Sequence, residues 1–387
     1  MSVVAARGFS ATGVAAGIKG DGVLDLAVVV ADHTVPTAAV FATSQAPAAP
    51  VRLSAHNVGV QTGSRAVVLN SGCANAATGA IGDGAARATV EAAADLLACD
   101  ADQVLVCSTG TIGSRLPVDR ILSALPQTIA AARSDLESGT RAAQAIMTTD
   151  TVAKQAAVTR GGYTVGGMVK GAGMIRPDMA TMLAVITTDA DLSAAALDHA
   201  LRKAVSVSFN ALTLDGCAST NDTVIVMASG ASMVTPDVDE FVDDLSAVCR
   251  DLANQMARDA EGASRVVTLH VTGTTTQHQA RALGRDICDS DLVRASFFGG
   301  DPNWGRLLGA AGASSVPIDP GMFSVSYNGV AVAADGVSVD FDQPSLLARM
   351  EEGDIDIAVT VGAGAGSATI VTTDLTPAYV EFNGERS

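Results

Sequence analysis

Within Val169 to Ala190, "VKGAGMIRPDMATMLAVITTDA", a glycine-rich loop containing Arg-Pro gives way at Thr181 to an apolar run, Met182 to Ile186. A threonine hydroxyl acts as a nucleophile only when a base takes its proton. None of the five histidines, His33, His56, His199, His270 and His278, is near it in sequence, and none stands beside a Cys, a Ser-Gly elbow or a carboxylate at ligand spacing. The other source of a base is the threonine's own α-amine, released by cutting the preceding peptide bond. At pH 7 an α-amine of pKa about 8 is roughly one-tenth neutral, whereas a lysine at about 10.4 is neutral on the order of 0.04 % of the time, a difference of about 250-fold in available base. The Ala180–Thr181 step therefore reads as a self-cleavage junction. Ala180 leaves its carbonyl open to Thr181 Oγ, while Pro177 and the glycines let the loop take a strained approach that offsets the uphill amide-to-ester shift.

Three further loops carry small polar residues next to expected strands. "VVLNSGCANAATG" places Asn70, Ser71 and Asn75 after one strand, "VLVCSTGTIG" places Ser108, Thr109 and Gly110 after another, and "LDGCASTNDTVIV" places Ser219 to Asp222 before a third. Such loops present backbone N–H groups and hydroxyls, the material of an oxyanion hole or an anion nest. Each would also serve as a plain tight turn. Three of them beside the Thr181 stretch favour a shared site.

The elements that must position these loops alternate along the chain. Val- and Ile-rich runs predict strands at Val23–Val30, Arg65–Asn70, Gln103–Cys107, Tyr163–Val169, Met182–Thr187, Thr223–Met227, Val266–Val271, Phe323–Tyr327, Ile355–Val361 and Ala368–Thr372. Ala-rich amphipathic stretches predict helices at Gly84–Leu97, Pro117–Leu125, Thr140–Met147, Leu192–Val205, Val238–Arg258, Gln277–Arg285 and Ser345–Glu351. "AAVTRGGYTVGG" reads as a hairpin, so the expected fold is α/β (α+β) with largely antiparallel sheets. "VGAGAGSATIV" has Ser367 where a dinucleotide fingerprint needs its third glycine, and a strand follows, so a hairpin turn is expected there. "IGDGAARATV" lacks Gly-Lys-Ser/Thr and reads as a helix start.

At 387 residues, 48 % of them hydrophobic, the chain can bury a sizeable core in two domains or one two-lobed domain. The net charge of −17 is uneven: residues 1–180 hold 13 Lys+Arg against 13 Asp+Glu, residues 181–387 hold 11 against 28. Such acidity disfavours nucleic acid and anionic membrane as partners. No apolar run approaches the roughly 18 residues of a membrane span, and the opening "MSVVAARGFSATG" lacks the apolar segment of a signal peptide, so a cytoplasmic protein is expected. The six cysteines are never closer than eight positions, which argues for reduced thiols and against a zinc knuckle.

"KGAGMIRPDMATML" closely resembles the signature of the ornithine acetyltransferase family, the glutamate N-acetyltransferases of arginine biosynthesis, some of them bifunctional. "NSGCANAATG", "CSTGTIG", "AIMTTDT", "STNDT", "DAEGASR", "GDPNWGR" and "YVEFN" extend the resemblance, in the family's order, from Asn70 to Asn383. It implies a layered sandwich of sheets with outer helices, similar to self-processing aminopeptidases, and a proenzyme cut at Ala180–Thr181 into an α chain, 1–180, and a β chain, 181–387, usually assembled as α2β2. A smaller C-terminal lobe is expected at about 280–387. It also implies a ping-pong reaction in which Thr181 takes the acetyl group of N-acetylornithine and glutamate accepts it, without cofactor or metal. Some members use acetyl-CoA as a second donor. Thr109 and Gly110 match the family's oxyanion-hole pair, and Thr148, Lys170, Thr181, Glu261 and Asn383 match its substrate contacts. Lys170 suits a carboxylate and Glu261 an ammonium.

This chain departs from the family at three places. Asp178 stands where many members have Asn, Cys217 and Ala218 replace polar residues before "STNDT", and after Asn383 the family's tyrosine position holds Arg386, with Ser387 near the final hydroxyl. An amidase or aminopeptidase using the same nucleophile, an acetyltransferase with another amine acceptor, and a binding protein that never matures remain open alternatives.

Overall fold

The computed structural model describes residues 1–60, 63–176, 182–351 and 353–385. Thr181, the Ala180–Thr181 junction, Pro177, Asp178, Arg386 and Ser387 lie outside the described residues. The chain divides into two compact units. The first comprises Met1–Gly171, Asp178–Phe209 and Ala218–Met256, the second Ala172–Pro177, Asn210–Cys217 and Ala257–Ser387.

The first unit opens with β1 (Phe9–Val14), β2 (Leu26–Val35), β3 (Thr37–Phe41), α1 (Ala49–Val60), β4 (Ser64–Asn70), α2 (Gly79–Leu97) and β5 (Val104–Ser108). Next come α3 (Val118–Ala131), α4 (Leu136–Ala145), β6 (Lys154–Arg160) and β7 (Tyr163–Lys170). It closes with β8 (Leu183–Thr188), α5 (Ala194–Ser206), β9 (Thr223–Ala228) and α6 (Val238–Arg258). The strands form a four-stranded sheet, β1-β2-β4-β5, and a five-stranded one, β3-β9-β8-β7-β6.

Both faces of the four-stranded sheet are covered, which is why β4 reads as an unbroken apolar run. Val67 and Leu69 point into a core shared with Met168, Leu183, Val185, Ile225 and Met227 of the five-stranded sheet. Ala66 and Val68 point the other way, toward Val90 and Ala93 of α2 and Ile121 and Leu125 of α3. Beyond the five-stranded sheet, α5 packs on β3 and β9, and Leu252 of α6 reaches the glycine face at Gly167. The "AAVTRGGYTVGG" hairpin is present as β6–β7: Arg160 pairs with Tyr163 around Gly161 and Gly162, both at positive φ as a two-residue turn of this hand requires.

The second unit contains β10 (Val266–Gly273), α7 (Gln277–Cys288), α8 (Asp291–Phe298), α9 (Trp304–Ala313), β11 (Ser324–Tyr327) and β12 (Val330–Ala334). It continues with β13 (Val337–Ser338), α10 (Gln343–Glu351), β14 (Ile355–Thr360), β15 (Gly364–Thr373) and α11 (Pro377–Gly384). One sheet, β13-β12-β11-β14-β10-β15, buries one face under α7 to α10. Along β14 the buried Ile355, Ile357 and Val359 alternate with the exposed Asp356 and Ala358, as a half-covered sheet dictates.

The α/β class with mostly antiparallel sheets is as expected; among the described strands only β4–β5, β8–β9 and β10–β14 pair in parallel. The glycine run "VGAGAGSATIV" is not a hairpin turn. β14 and β15 lie on opposite sides of β10, and residues 361–363 cross its end. The crossing brings backbone onto backbone: a Cβ on Gly273 would sit 2.2 Å from Gly362 O, and one on Gly364 2.1 Å from Thr274 O. The helix expected from Gly84 starts earlier, at Gly79. Four helices and four strands were not expected: α1, α8, α9, α11, β1, β3, β12 and β13. α9 carries three glycines in ten residues and is set by its cap, Asn303, whose side chain accepts from Arg306 N. α11 buries no residue and starts at the Thr376 cap with Pro377 first in the helix. Among the described residues no helix is long and apolar enough to cross a membrane.

Candidate active site

In the first unit the expected loops converge at the ends of the parallel neighbours β4 and β5. Asn70 pairs with Ser108 across the strands, and the Ser108 hydroxyl donates to Asn70 Oδ1 at 2.6 Å. Asn70 Nδ2 donates to Cys73 O at 2.9 Å, and its carbonyl accepts the Thr109 amide at 3.0 Å. The Thr109 amide is therefore spent within the scaffold, so the group this residue can offer a reacting oxygen is its hydroxyl. That hydroxyl accepts from Lys170 Nζ at 3.2 Å, which leaves its own proton to be donated onward.

Gly110 follows at φ 128°, and a Cβ there would lie 2.3 Å from Gly72 C and 2.6 Å from Cys73 N. Only glycine fits. Its residue is exposed, and its amide makes no backbone hydrogen bond among the described residues. A free amide beside a threonine hydroxyl is the pair of donors an oxyanion needs.

The third loop locks this arrangement. Asn221 Nδ2 donates to Ala74 O at 2.6 Å and to Ser108 O at 2.8 Å, tying both other loops together. Asp222, fully buried, accepts the Met182 amide at 2.9 Å through Oδ1, and the Met182 carbonyl accepts Thr223 N at 3.1 Å. The residue directly after Thr181 is thus fixed on both sides. Burial pushes the Asp222 carboxyl well above the usual carboxylate range, against the opposing Met182 N–H and Lys170 charge.

Lys170 ends β7 and is buried. Beneath it stands Asp150, which accepts Lys154 Nζ at 2.6 Å and Gly171 N at 2.7 Å through Oδ1, and Thr148 N at 2.9 Å through Oδ2. One carboxylate therefore positions both Thr148 and the residue following Lys170. Burial would raise Asp150, but the Lys170 and Lys154 charges and these hydrogen bonds outweigh it and hold the carboxyl at about 2. Lys19 braces the same loop, its Nζ donating to Met147 O at 2.5 Å and Leu24 O at 3.1 Å. Burial pulls the Lys19 ammonium down, with Asp25 and Asp150 opposing.

In the second unit Glu261 and Asn383 are brought together: Asn383 Nδ2 donates to Glu261 Oε2 at 3.1 Å and to Tyr379 O at 3.1 Å. The Glu261 amide donates to Ala172 O at 2.9 Å. Gly262, at φ 65°, lets this loop touch the start of α11, where a Cβ would be 2.4 Å from Tyr379 N. Asn383 sits one turn after Tyr379 on α11, so the helix and the loop present a carboxylate and an amide side by side. Cys217 and Ala218 are both exposed, and the Cys217 amide donates to Asp215 Oδ1 at 3.1 Å.

Sequence reasoning missed Lys19, Asp25, Asp150, Lys154 and Asp215. Asp150 lay within "AIMTTDT", where a carboxylate two residues after a hydroxyl is the pattern of a side chain accepting a nearby amide. Lys154 carried no such signal, since a lysine in "TVAKQAAV" reads as a solvated charge. Among the described residues no group of three His, Cys, Asp or Glu could hold a metal ion.

The ArgJ family model matches residues 10–387. The arginine biosynthesis bifunctional protein ArgJ of Streptomyces coelicolor is 47 % identical over 390 residues, covering 100 % of both chains, and that of Thermobifida fusca is equally similar, at 47 % over 390 residues and 100 % of both. The crystal structure of the ArgJ bifunctional protein from Bacillus halodurans superposes with a TM-score of 0.50 at 33 % identity, covering 51 % of this chain and 96 % of that one.

Proposed function

Because this chain belongs to the ArgJ family and is an acyltransferase of arginine biosynthesis, we propose that it carries the acetyl group of N-acetylornithine to glutamate through an ester on Thr181. The observation that carries this reading is the Thr109 hydroxyl, engaged by Lys170 at 3.2 Å, beside the uncommitted amide of an obligatory Gly110.

Maturation comes first. Thr181 Oγ adds to the Ala180 carbonyl, the peptide nitrogen leaves as the Thr181 α-amine, and water hydrolyses the resulting ester to free the Ala180 carboxylate. The Bacillus halodurans chain supports a division near the middle, since 96 % of it spans only 51 % of this chain, and the junction would leave 180 and 207 residues. The α-amine then takes the Thr181 hydroxyl proton as Oγ attacks the acetyl carbonyl of N-acetylornithine. The Thr109 hydroxyl and Gly110 amide bind the tetrahedral oxygen. Removing one such donor costs about 10²–10³ in rate. Collapse expels the ornithine amine, which recovers the proton, and the neutral amine of glutamate reverses the sequence to give N-acetylglutamate. Lys170 suits a substrate carboxylate, and the Glu261–Asn383 pair suits an ammonium. We extend the proposal to acetyl-CoA as a second donor, in keeping with the bifunctional names of the relatives, and to an α2β2 assembly of the two products.

Purified protein given N-acetylornithine should release ornithine rapidly only when glutamate is present, and Thr181→Ala should abolish it. Rapid ornithine release with water as the sole acceptor would make it an amidase instead.

A further inference from the structure

Residues 172–176 precede the proposed cleavage site, yet they fold with the second unit, and their polar partners come from the part of the chain that follows that site. Ala172 O accepts the Glu261 amide at 2.9 Å. Met174 N donates to Asp215 Oδ2 at 2.5 Å and Ile175 N to Asp215 Oδ1 at 2.9 Å, while Ile175 O accepts Leu214 N at 2.8 Å. Arg176 Nε pairs with Asp289 Oδ2 at 3.2 Å. The Ile175 side chain is 1 % exposed.

One residue of this strap is strained. Met174 sits at φ 59°, the left-handed region that costs a non-glycine residue and persists only where neighbours over-determine it. Asp215 supplies that constraint, because its two oxygens take the amides on both sides of the Met174 carbonyl. Five residues, Pro177 to Thr181, separate the strap from Met182, whose own backbone is pinned by Asp222 and Thr223.

We propose that Asp215 is a positioning residue for self-cleavage: it clamps the strained leader before the cut and afterwards keeps residues 172–176 of the N-terminal product bound to the C-terminal product. This rests on the self-cleavage proposed above. Asp215 touches no reacting atom. It holds one end of the short segment in which the Thr181 hydroxyl must reach the Ala180 carbonyl, and it binds two product chains through the same hydrogen bonds that held one.

The test compares wild type, Asp215→Asn and Asp215→Ala in the full chain, following conversion of precursor to two products by mass and then exposing the matured protein to a broad-specificity carboxypeptidase. Asn keeps one acceptor, for Ile175, and turns N–H groups toward Met174, so cleavage should slow about tenfold; Ala removes both acceptors and should slow it about a hundredfold. Trimming of the wild-type N-terminal product should halt at Arg176, whereas in Asp215→Ala it should run through Ile175 and Met174. If Ala fails to fold, the graded loss in the Asn variant and its deeper trimming carry the result. Wild-type cleavage rates and wild-type trimming in both variants would overturn the clamp while leaving the acetyltransferase standing. An uncut wild-type chain would overturn self-cleavage, and the clamp with it.

Discussion

Asp150 is the most exacting place to perturb the site, because one side chain supports three functional neighbours. In Asp150→Asn the shape survives but the negative charge does not, and Lys154, whose side chain is fully buried 2.6 Å away, loses its carboxylate. Breaking a buried ion pair from one side costs about 3–5 kcal/mol. For a compact unit of this size each kcal/mol moves the melting temperature by roughly 2–4 °C, so a fall of about 6–20 °C is expected. Adding Lys154→Met removes the uncompensated cation and should recover at least half of that loss, because replacing both members of a buried pair by neutral groups is often close to neutral. Calorimetry in the Thr181→Ala background, where a single chain unfolds, measures both. Acetyl transfer in the otherwise wild-type double variant should stay low even so, since asparagine offers Thr148 and Gly171 one acceptor oxygen in place of two. An Asp150→Asn melting temperature within about 3 °C of wild type, or a double variant no better than the single, would refute the reasoning.

The same carboxylate sets a pH limit: with its folded pKa depressed to about 2, its stabilisation is complete above the ordinary carboxylate range and is lost as pH falls below about 4 toward 2, so the melting gap between wild type and the double variant should be flat from pH 8 to 5 and shrink in acid. Gly110→Ala should lower glutamate-dependent ornithine release by at least about 10²-fold, as its Cβ enters the Gly72–Cys73 backbone; near-normal turnover would remove Gly110 from the oxyanion site. Glu261→Gln should raise the KM for N-acetylornithine by about tenfold or more with little change in melting temperature, from loss of one charged hydrogen bond; an unchanged KM would argue against an ammonium partner.

Elements whose residues alternate or repeat cleanly were legible in the sequence. α6 matches its expected range, Val238–Arg258, residue for residue, β4 and β7 differ by one residue at one end, and β8 is shifted by one residue. α9 was hidden because its glycines oppose helix propensity and a cap decides it, and the place of β15 was hidden because a glycine crossing over β10 looks like a turn until the pairing is known. The site divides the same way. Asn70, Ser108, Thr109, Gly110 and Asn221 were found from small polar residues beside strands, and their convergence was inferred. Asp150 with Lys154 and Asp215 with Met174 and Ile175 depend on burial and long-range approach, which spacing does not encode.

The central claim is that Thr181 becomes a free N-terminus that carries the acetyl group. Mass analysis with N-terminal sequencing of the matured protein, before and after N-acetylornithine and then glutamate, tests it most directly. The account predicts a polypeptide beginning Thr-Met-Leu-Ala-Val that gains one acetyl group on its Thr181 from N-acetylornithine and loses it to glutamate. A single 387-residue species, unaltered on long incubation, or a cut chain that never becomes acetylated, would contradict it.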